Sequence, residues 1–185
     1  MLKDILDDAR QRMEAAVEAC RRELASLRAG RASPALLDKV RVDYYGSSVP
    51  VNQVATVTVP EPRLIVIQPW DRGALADIER AILKADLGLT PANDGKVIRL
   101  SLPQLTEQRR QDLVKQARRL AEEGRVAIRN VRRDANDGIK DAEKSGEAPA
   151  DEARRALDEV QKLTDRHIAM VDELVEAKER EILEF

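Results

Sequence analysis

Aromatic side chains are almost missing from this sequence: one tryptophan, two tyrosines and one phenylalanine in 185 residues. A core of stacked rings is thereby excluded, and whatever is buried must be aliphatic, which suits helices meeting along narrow seams. Cys20 is the only cysteine, so no internal disulfide can form, and its place in a helical pattern is compatible with a reducing cytoplasm. His167 is the only histidine. With one of each, neither a His/Cys metal cluster nor a Ser-His-Asp arrangement can be assembled. His167 is read instead as a helix-packing residue hydrogen-bonded to a neighbour. The chain has neither G-x-x-x-x-G-K-[ST] nor G-x-G-x-x-G, so nucleotide binding by those routes is excluded. No apolar run approaches the roughly 18 residues of a membrane span, and the acidic, amphipathic start lacks a signal-peptide core. No enzyme, metal site or cofactor is expected, and the chain reads as cytoplasmic.

What is present is periodicity. Leu2, Leu6, Ala9, Met13, Ala16, Cys20, Leu24 and Leu27 recur at steps of three and four, the stripe of one long helix. Ala29-Gly30 ends it and Pro34 opposes its resumption. A second seam runs Leu113, Ala117, Leu120, Gly124, Ala127 or Ile128, Val131, Ala135, Ile139, Ala142, with Thr106 as a plausible N-cap. Lys144-Ser-Gly146 and Pro149 close that helix. A third, capped by Asp151, packs through Ala156, Val160, Leu163, His167, Met170, Leu174 and Ala177. These heptad-patterned stretches, 2–28 and 106–184, predict a three-helix bundle that the first helix completes.

Between them the pattern changes. Val40, Val42 and Tyr44 alternate with polar residues, and 54–59 and 64–67 are β-branched runs around Pro60-Glu-Pro62. Leu75, Ile78, Ile82 and Leu83 have helical spacing, and Val97 to Leu102 reads as a last strand. Tyr45 to Ser48 and Pro91 to Gly95 read as turns. Trp70 is read as packing at the strand-to-helix junction, with Asp71 near the helix N-terminus. The fold class is therefore α+β: a bundle from 1–29 and 105–185 with a small β/α/β domain, 30–104, inserted. Two short crossings join them, and Ala29, Gly30, Ser33, Leu102, Pro103, Gln104 and Leu105 are the expected hinge.

The formal net charge is only −2, but its distribution is uneven. Residues 105–145 carry 11 basic and 8 acidic side chains, whereas 146–185 carry 6 and 12. On an ideal helix Arg118, Arg125, Arg129 and Arg132 fall within roughly 60° of one another, clear of the apolar seam. Arg133 and the pair Arg109-Arg110 widen the basic surface, and Arg28 and Arg31 join it if the bundle places them nearby. The ordinary alternative is a solvated face paired with acids. Against it, no acidic residue stands between Glu123 and Asp134, and arginine's planar fork suits phosphate. The scarcity of aromatics argues for recognition of structured RNA backbone over base stacking.

Gly30-Arg31-Ala-Ser-Pro34, Tyr44-Tyr45-Gly46, Asp86-Leu-Gly-Leu-Thr-Pro91, Leu105-Thr-Glu-Gln-Arg-Arg110, Val131-Arg-Arg-Asp-Ala-Asn-Asp137 and Gln161-Lys-Leu-Thr-Asp165 stand in this order along the chain. Together they resemble bacterial ribosome recycling factors from end to end. The resemblance implies an L-shaped, two-domain molecule that acts as a monomer. It would bind the post-termination ribosome and, with elongation factor G and GTP, split the subunits and release messenger and transfer RNA. It also implies contact with large-subunit ribosomal RNA through Arg132, Arg129 and Arg133, then Arg28 and Arg31, with Arg125, Arg109 and Arg110 at the margin. The rival readings are a helical adaptor, for which a second apolar row on the third helix (Leu157, Thr164, Ile168, Val171, Val175, Ile182) would speak, and a general RNA-binding protein.

Overall fold

In a computed structural model, residues 1–27 and 30–184 are described. Arg28 and Ala29, expected respectively at the RNA contact and in the hinge, lie outside the described residues. The chain divides into two compact units, one of 1–28 with 107–184 and one of 29–106.

The first unit holds three helices: α1 (Leu2–Ser26), α3 (Glu107–Lys144) and α4 (Ala150–Glu184), each packed on the other two. α1 runs antiparallel to α3, since Arg12 meets Asp134 while Cys20 lies against Gly124. The buried rows correct the expected seams. Val17 is buried where Ala16 was expected, and Ala121 replaces Leu120. On α4 the row after His167 continues through Val171, Val175, Lys178 and Ile182, while Met170 and Ala177 are exposed and Leu174 is only half-buried. The reason is the period. Leu113, Gly124 and Ala135 recur every 11 residues, as do Ala156, His167 and Lys178, or Val160, Val171 and Ile182. That spacing, about 3.67 residues per turn, belongs to helices without the left-handed supercoil that a heptad imposes. A heptad reading therefore drifts off the face along a 35-residue helix. The second apolar row on α4 is in large part this core row, which removes the feature that favoured an adaptor.

Small residues set how closely the helices approach. A Cβ on Gly124 would stand 3.2 Å from both Cβ and Sγ of Cys20 and 3.7 Å from Val171. Cys20 is buried there, and burial pushes its thiol pKa up, with Arg125 acting in the opposite sense. His167 is buried, and its Nδ1 lies 2.6 Å from the Leu163 carbonyl. A carbonyl only accepts, so Nδ1 carries the proton. The packing role expected of His167 is what the structure contains. Asp151 lies inside the first turn of α4, one residue past its start.

The second unit contains β1 (Arg41–Tyr44), β2 (Ser47–Pro50), β3 (Ala55–Glu61), β4 (Leu64–Pro69), α2 (Leu75–Lys84), β5 (Pro91–Asn93) and β6 (Ile98–Ser101). β1 and β2 form an antiparallel pair, and the other strands an antiparallel sheet in the order β3-β4-β6-β5. Ile65, Ile67, Ile98 and Leu100 point into a core shared with Val40 just before β1, Val42 of β1, and Ile78 and Ile82 of α2. Leu83, expected on the inner face, is exposed, and Ala81 takes its place.

Two expected turns are partly strand. Ser47 and Ser48 pair with Tyr44 and Asp43, which confines the turn to Tyr45-Gly46, both at positive φ (50° and 81°). Such a turn matches the strand twist but normally wants Asn-Gly. Tyr45 is held there by an edge-to-face contact with Tyr44, ring centroids 4.5 Å apart, and by donating its hydroxyl to Asp71 at 3.3 Å. Pro91 to Asn93 form an edge strand, where a missing N–H is tolerated. The real turn there is built by Asp94, which accepts from Val97 N–H at 2.8 Å, Lys96 N–H at 2.9 Å and Arg99 at 2.7 Å. Trp70 corrects a further expectation: it is 66% exposed, tethered by its Nε1–H to Thr56 Oγ1 at 2.8 Å. Asp71 caps the following helical turn at Gly73 N, as its position suggested.

The two glycines within α3 predict opposite outcomes. Gly124→Val should lose about 1–3 kcal/mol through overpacking against Cys20. Gly138→Ala, whose Cβ meets only the Ile5 side-chain end at 3.4 Å, should gain up to about 1 kcal/mol in helix propensity. Urea midpoints decide, and equal shifts of one sign would refute the close-approach argument. The hydrogen bonds from Val97, Lys96 and Arg99 hold the Asp94 carboxyl well below the usual range. With a folded pKa below the unfolded value of about 3.9, its contribution is complete above about pH 4 and is lost as pH falls toward the folded value. Asp94→Asn should flatten the acid limb of stability against pH; an unchanged acid limb would show that the turn contributes nothing.

Candidate nucleic-acid interface

α3 carries the arginine stripe, and the structure sorts its members by partner. Arg118 meets Glu179 at 2.6 Å. Arg125, with 22% of its side chain exposed, grips Asp172 through Nε at 2.8 Å and a terminal nitrogen at 2.7 Å, and also reaches Glu122. Arg129 donates to the same Glu122 at 3.1 Å. Hydrogen bonds from Arg129 and then Arg125 hold the Glu122 carboxyl below its ordinary pKa. The acids that the stripe lacked in its own sequence window thus come from one turn earlier on α3 and from across the groove on α4. Inter-helix pairing of this kind has no local signature, which is why sequence reasoning missed Asp172 and Glu179.

Arg132 differs. Its one hydrogen-bond partner among the described residues is neutral, the amide oxygen of Gln161 on α4, at 3.4 Å. Gln161 in turn donates to Asp165 at 2.9 Å, which fixes the direction of its amide. The Arg132 Nε is buried without a partner, so the guanidinium is held at one edge while its charge stays uncompensated. Arg133, exposed, has no carboxylate partner among the described residues. Arg125 serves chiefly to brace α3 against α4.

The remaining candidates are not gathered with these. Arg110 precedes Arg132 by 22 residues on the same helix, about 33 Å at ~1.5 Å per residue, so Arg109 and Arg110 belong to its opposite end. Arg31 belongs to the other unit.

The connecting segments have their own geometry within the second unit. Ala32 N–H donates to Pro62 O at 2.6 Å, and Leu102 N–H to Arg63 O at 2.8 Å, so both chains are tied to adjacent residues of the β3–β4 turn. Ser33 caps a helical turn by accepting from Ala35 N–H at 3.3 Å. Ser33 and Leu102, expected in the hinge, are thus built into the second unit. Gly30 has φ +76°, and a Cβ on it would lie 2.9 Å from Leu105 Cγ.

An α+β protein with a long helical bundle, two arginines on it without a carboxylate partner among the described residues, and a sheet unit inserted in sequence after the first helix has the build of a recognition protein. A sequence model described as "Ribosome recycling factor" matches residues 20–183. The ribosome-recycling factor of Carboxydothermus hydrogenoformans is 63% identical over 183 residues, 99% of each chain, and that of Symbiobacterium thermophilum 61% over 184 residues, 100% of each. A solution structure of a ribosome recycling factor is 47% identical, with a TM-score of 0.73 over 100% of this chain and 98% of its own. Another similar structure, at 51% identity and a TM-score of 0.62 over 99% of each chain, is described as models for the T. thermophilus ribosome recycling factor and the E. coli elongation factor G bound to the E. coli post-termination complex. The chain belongs to the ribosome recycling factor family, whose members are translation factors and not enzymes. Among the described residues, no helix is long and apolar enough to cross a membrane.

Proposed function

We propose that this protein recycles ribosomes after termination in the cytoplasm: it binds the post-termination ribosome as a monomer through large-subunit ribosomal RNA. With elongation factor G and GTP it promotes subunit dissociation and release of messenger and transfer RNA. The observation that carries the RNA contact is Arg132, a buttressed guanidinium without a carboxylate partner on a long rigid helix. Phosphate supplies the missing anion, and Arg133 and Arg129 extend the contact, Arg129 by exchanging Glu122 for phosphate. With no Walker-type loop in the sequence, GTP is assigned to the partner factor, and this chain acts as a lever that the partner moves. The likeness to a factor described with elongation factor G on a post-termination complex supports that division of labour.

The lever needs a joint. Because Ala32 and Leu102 are tied into the second unit, we place the joint in Gly30, Arg31 and residues 103–106.

Binding to purified large subunits across a salt series tests the anchor. Arg132→Ala should weaken it and lower the log–log salt slope by about one, and Gln161→Ala should weaken it less, with the slope retained. Equal binding by parent and Arg132→Ala would move the anchor elsewhere. Gly30→Ala, strained at positive φ by about 1–2 kcal/mol and crowded by Leu105, should slow subunit splitting while large-subunit binding persists. Unchanged splitting would remove the joint from Gly30.

A further inference from the structure

The second unit carries a cationic cleft that the arginine face does not account for. It lies between the β1–β2 pair and α2 and encloses about 290 Å³. Lys39, in the turn before β1, and Arg41, at its first position, line one side, while Val40 and Val42 are fully buried. Arg80 and Lys84 enter from α2, one turn apart. Lys39, Arg41 and Lys84 have no hydrogen-bond or ion-pair partner among the described residues, and Arg80 has only Asp77, at 3.5 Å. On the bundle most of the stripe is already paired; here most of the cations are not.

The spacing suits a chain of phosphates. Lys39 and Arg41 are two residues apart at the start of β1, and Arg80 and Lys84 stand about 5–6 Å apart as neighbours on a helix. Four cations converging from two sides match successive phosphates of one strand. No aromatic lines the cleft, so a strand there is held by its backbone alone, without the base stacking that the scarcity of aromatics already disfavours. Ser48 adds a hydroxyl donor for a phosphate oxygen. Asp43, opposite Ser48 in the strand register, and Asp77 are the two acids present. They disfavour a dense polycarboxylate, whereas a ribose 2′-hydroxyl is a donor that a carboxylate accepts. We propose that this cleft is a second nucleic-acid site, which binds the phosphodiester backbone of single-stranded RNA. The proposal shares with the reading above only the class of polyanion; the cleft and its residues are independent of Arg132.

The test uses the full chain and a short single-stranded RNA of mixed sequence, with DNA of the same sequence and oligoglutamate as controls. Binding is followed by anisotropy across a salt series. Arg41→Gln/Lys84→Gln should lower the RNA salt slope by about 1.4, or ~0.7 for each lost contact on a single strand. The decrement should persist in an Arg129→Gln/Arg132→Gln background. RNA should shift amide resonances in 39–48 and 77–85, and bind more tightly than DNA or oligoglutamate. All the substituted side chains reach solvent, and an otherwise unchanged amide spectrum establishes folding. An unchanged slope in the cleft variant overturns the proposal, even if Arg129 and Arg132 prove essential for ribosome binding. Equal binding of oligoglutamate through the same residues overturns it too. A slope lost in the cleft variant alone supports the cleft, while the arginine face, read as a contact for structured ribosomal RNA, is decided by the large-subunit assay.

Discussion

The approach of α1 to α3 at Cys20 and Gly124 is the constraint on which the bundle depends. A side chain at position 124 would crowd Cys20, and the α3 core row mixes four more small residues, Ala117, Ala121, Ala135 and Ala142, with Leu113, Ile128, Val131 and Ile139. The small residues on the inner face bring α3 close to its neighbours at those levels. They also set the angle at which the outer residues of α3 face α4. Arg125 reaches Asp172, Arg118 reaches Glu179 and Arg132 reaches Gln161 because the shared seam fixes the rotation of both helices. A larger residue in the seam would therefore disturb the cationic face without touching it.

That face is a selection among arginines. Exposed ion pairs contribute little to stability, typically 0–1 kcal/mol, so the pairing of Arg118 and Arg129 matters more for charge placement than for holding the fold. Glu179 cancels the field at Arg118, which the proposed contact does not use, while Glu122 is shared by Arg125 and Arg129. Arg132 is positioned by an uncharged amide, which orients a guanidinium without neutralising it. A carboxylate at position 161 would position the side chain equally well and remove its attraction for phosphate.

The division of the chain, the bundle and most of the strands were legible because each rests on short-range periodicity or on Gly and Pro. The core of α4 beyond His167 was not, because a heptad template departs from an 11-residue repeat by about one position every six turns, within the length of this helix. Ser47–Pro50 and Pro91–Asn93 escaped because exposed edge strands lack alternation. The arginine stripe was visible as spacing, but which member lacked a counter-charge was not, since the deciding residues lie tens of positions away on α4. Trp70 was misjudged on its ordinary tendency to bury. Its indole keeps one hydrogen bond and is otherwise left to solvent.

Insertion of the sheet unit into the bundle also imposes an order of assembly. Every strand of that unit and α2 lie within one contiguous stretch, so it can finish folding as soon as about residue 106 is available. α1 is made earlier but must wait. Its apolar row of Ala9, Met13, Val17, Cys20 and Leu24 has nothing to cover it until α3 and α4 exist. At roughly 5–20 residues per second of synthesis, that interval lasts several seconds. During it the nascent chain carries a finished domain and an unsheltered amphipathic helix, a substrate for holding chaperones that the completed fold no longer displays.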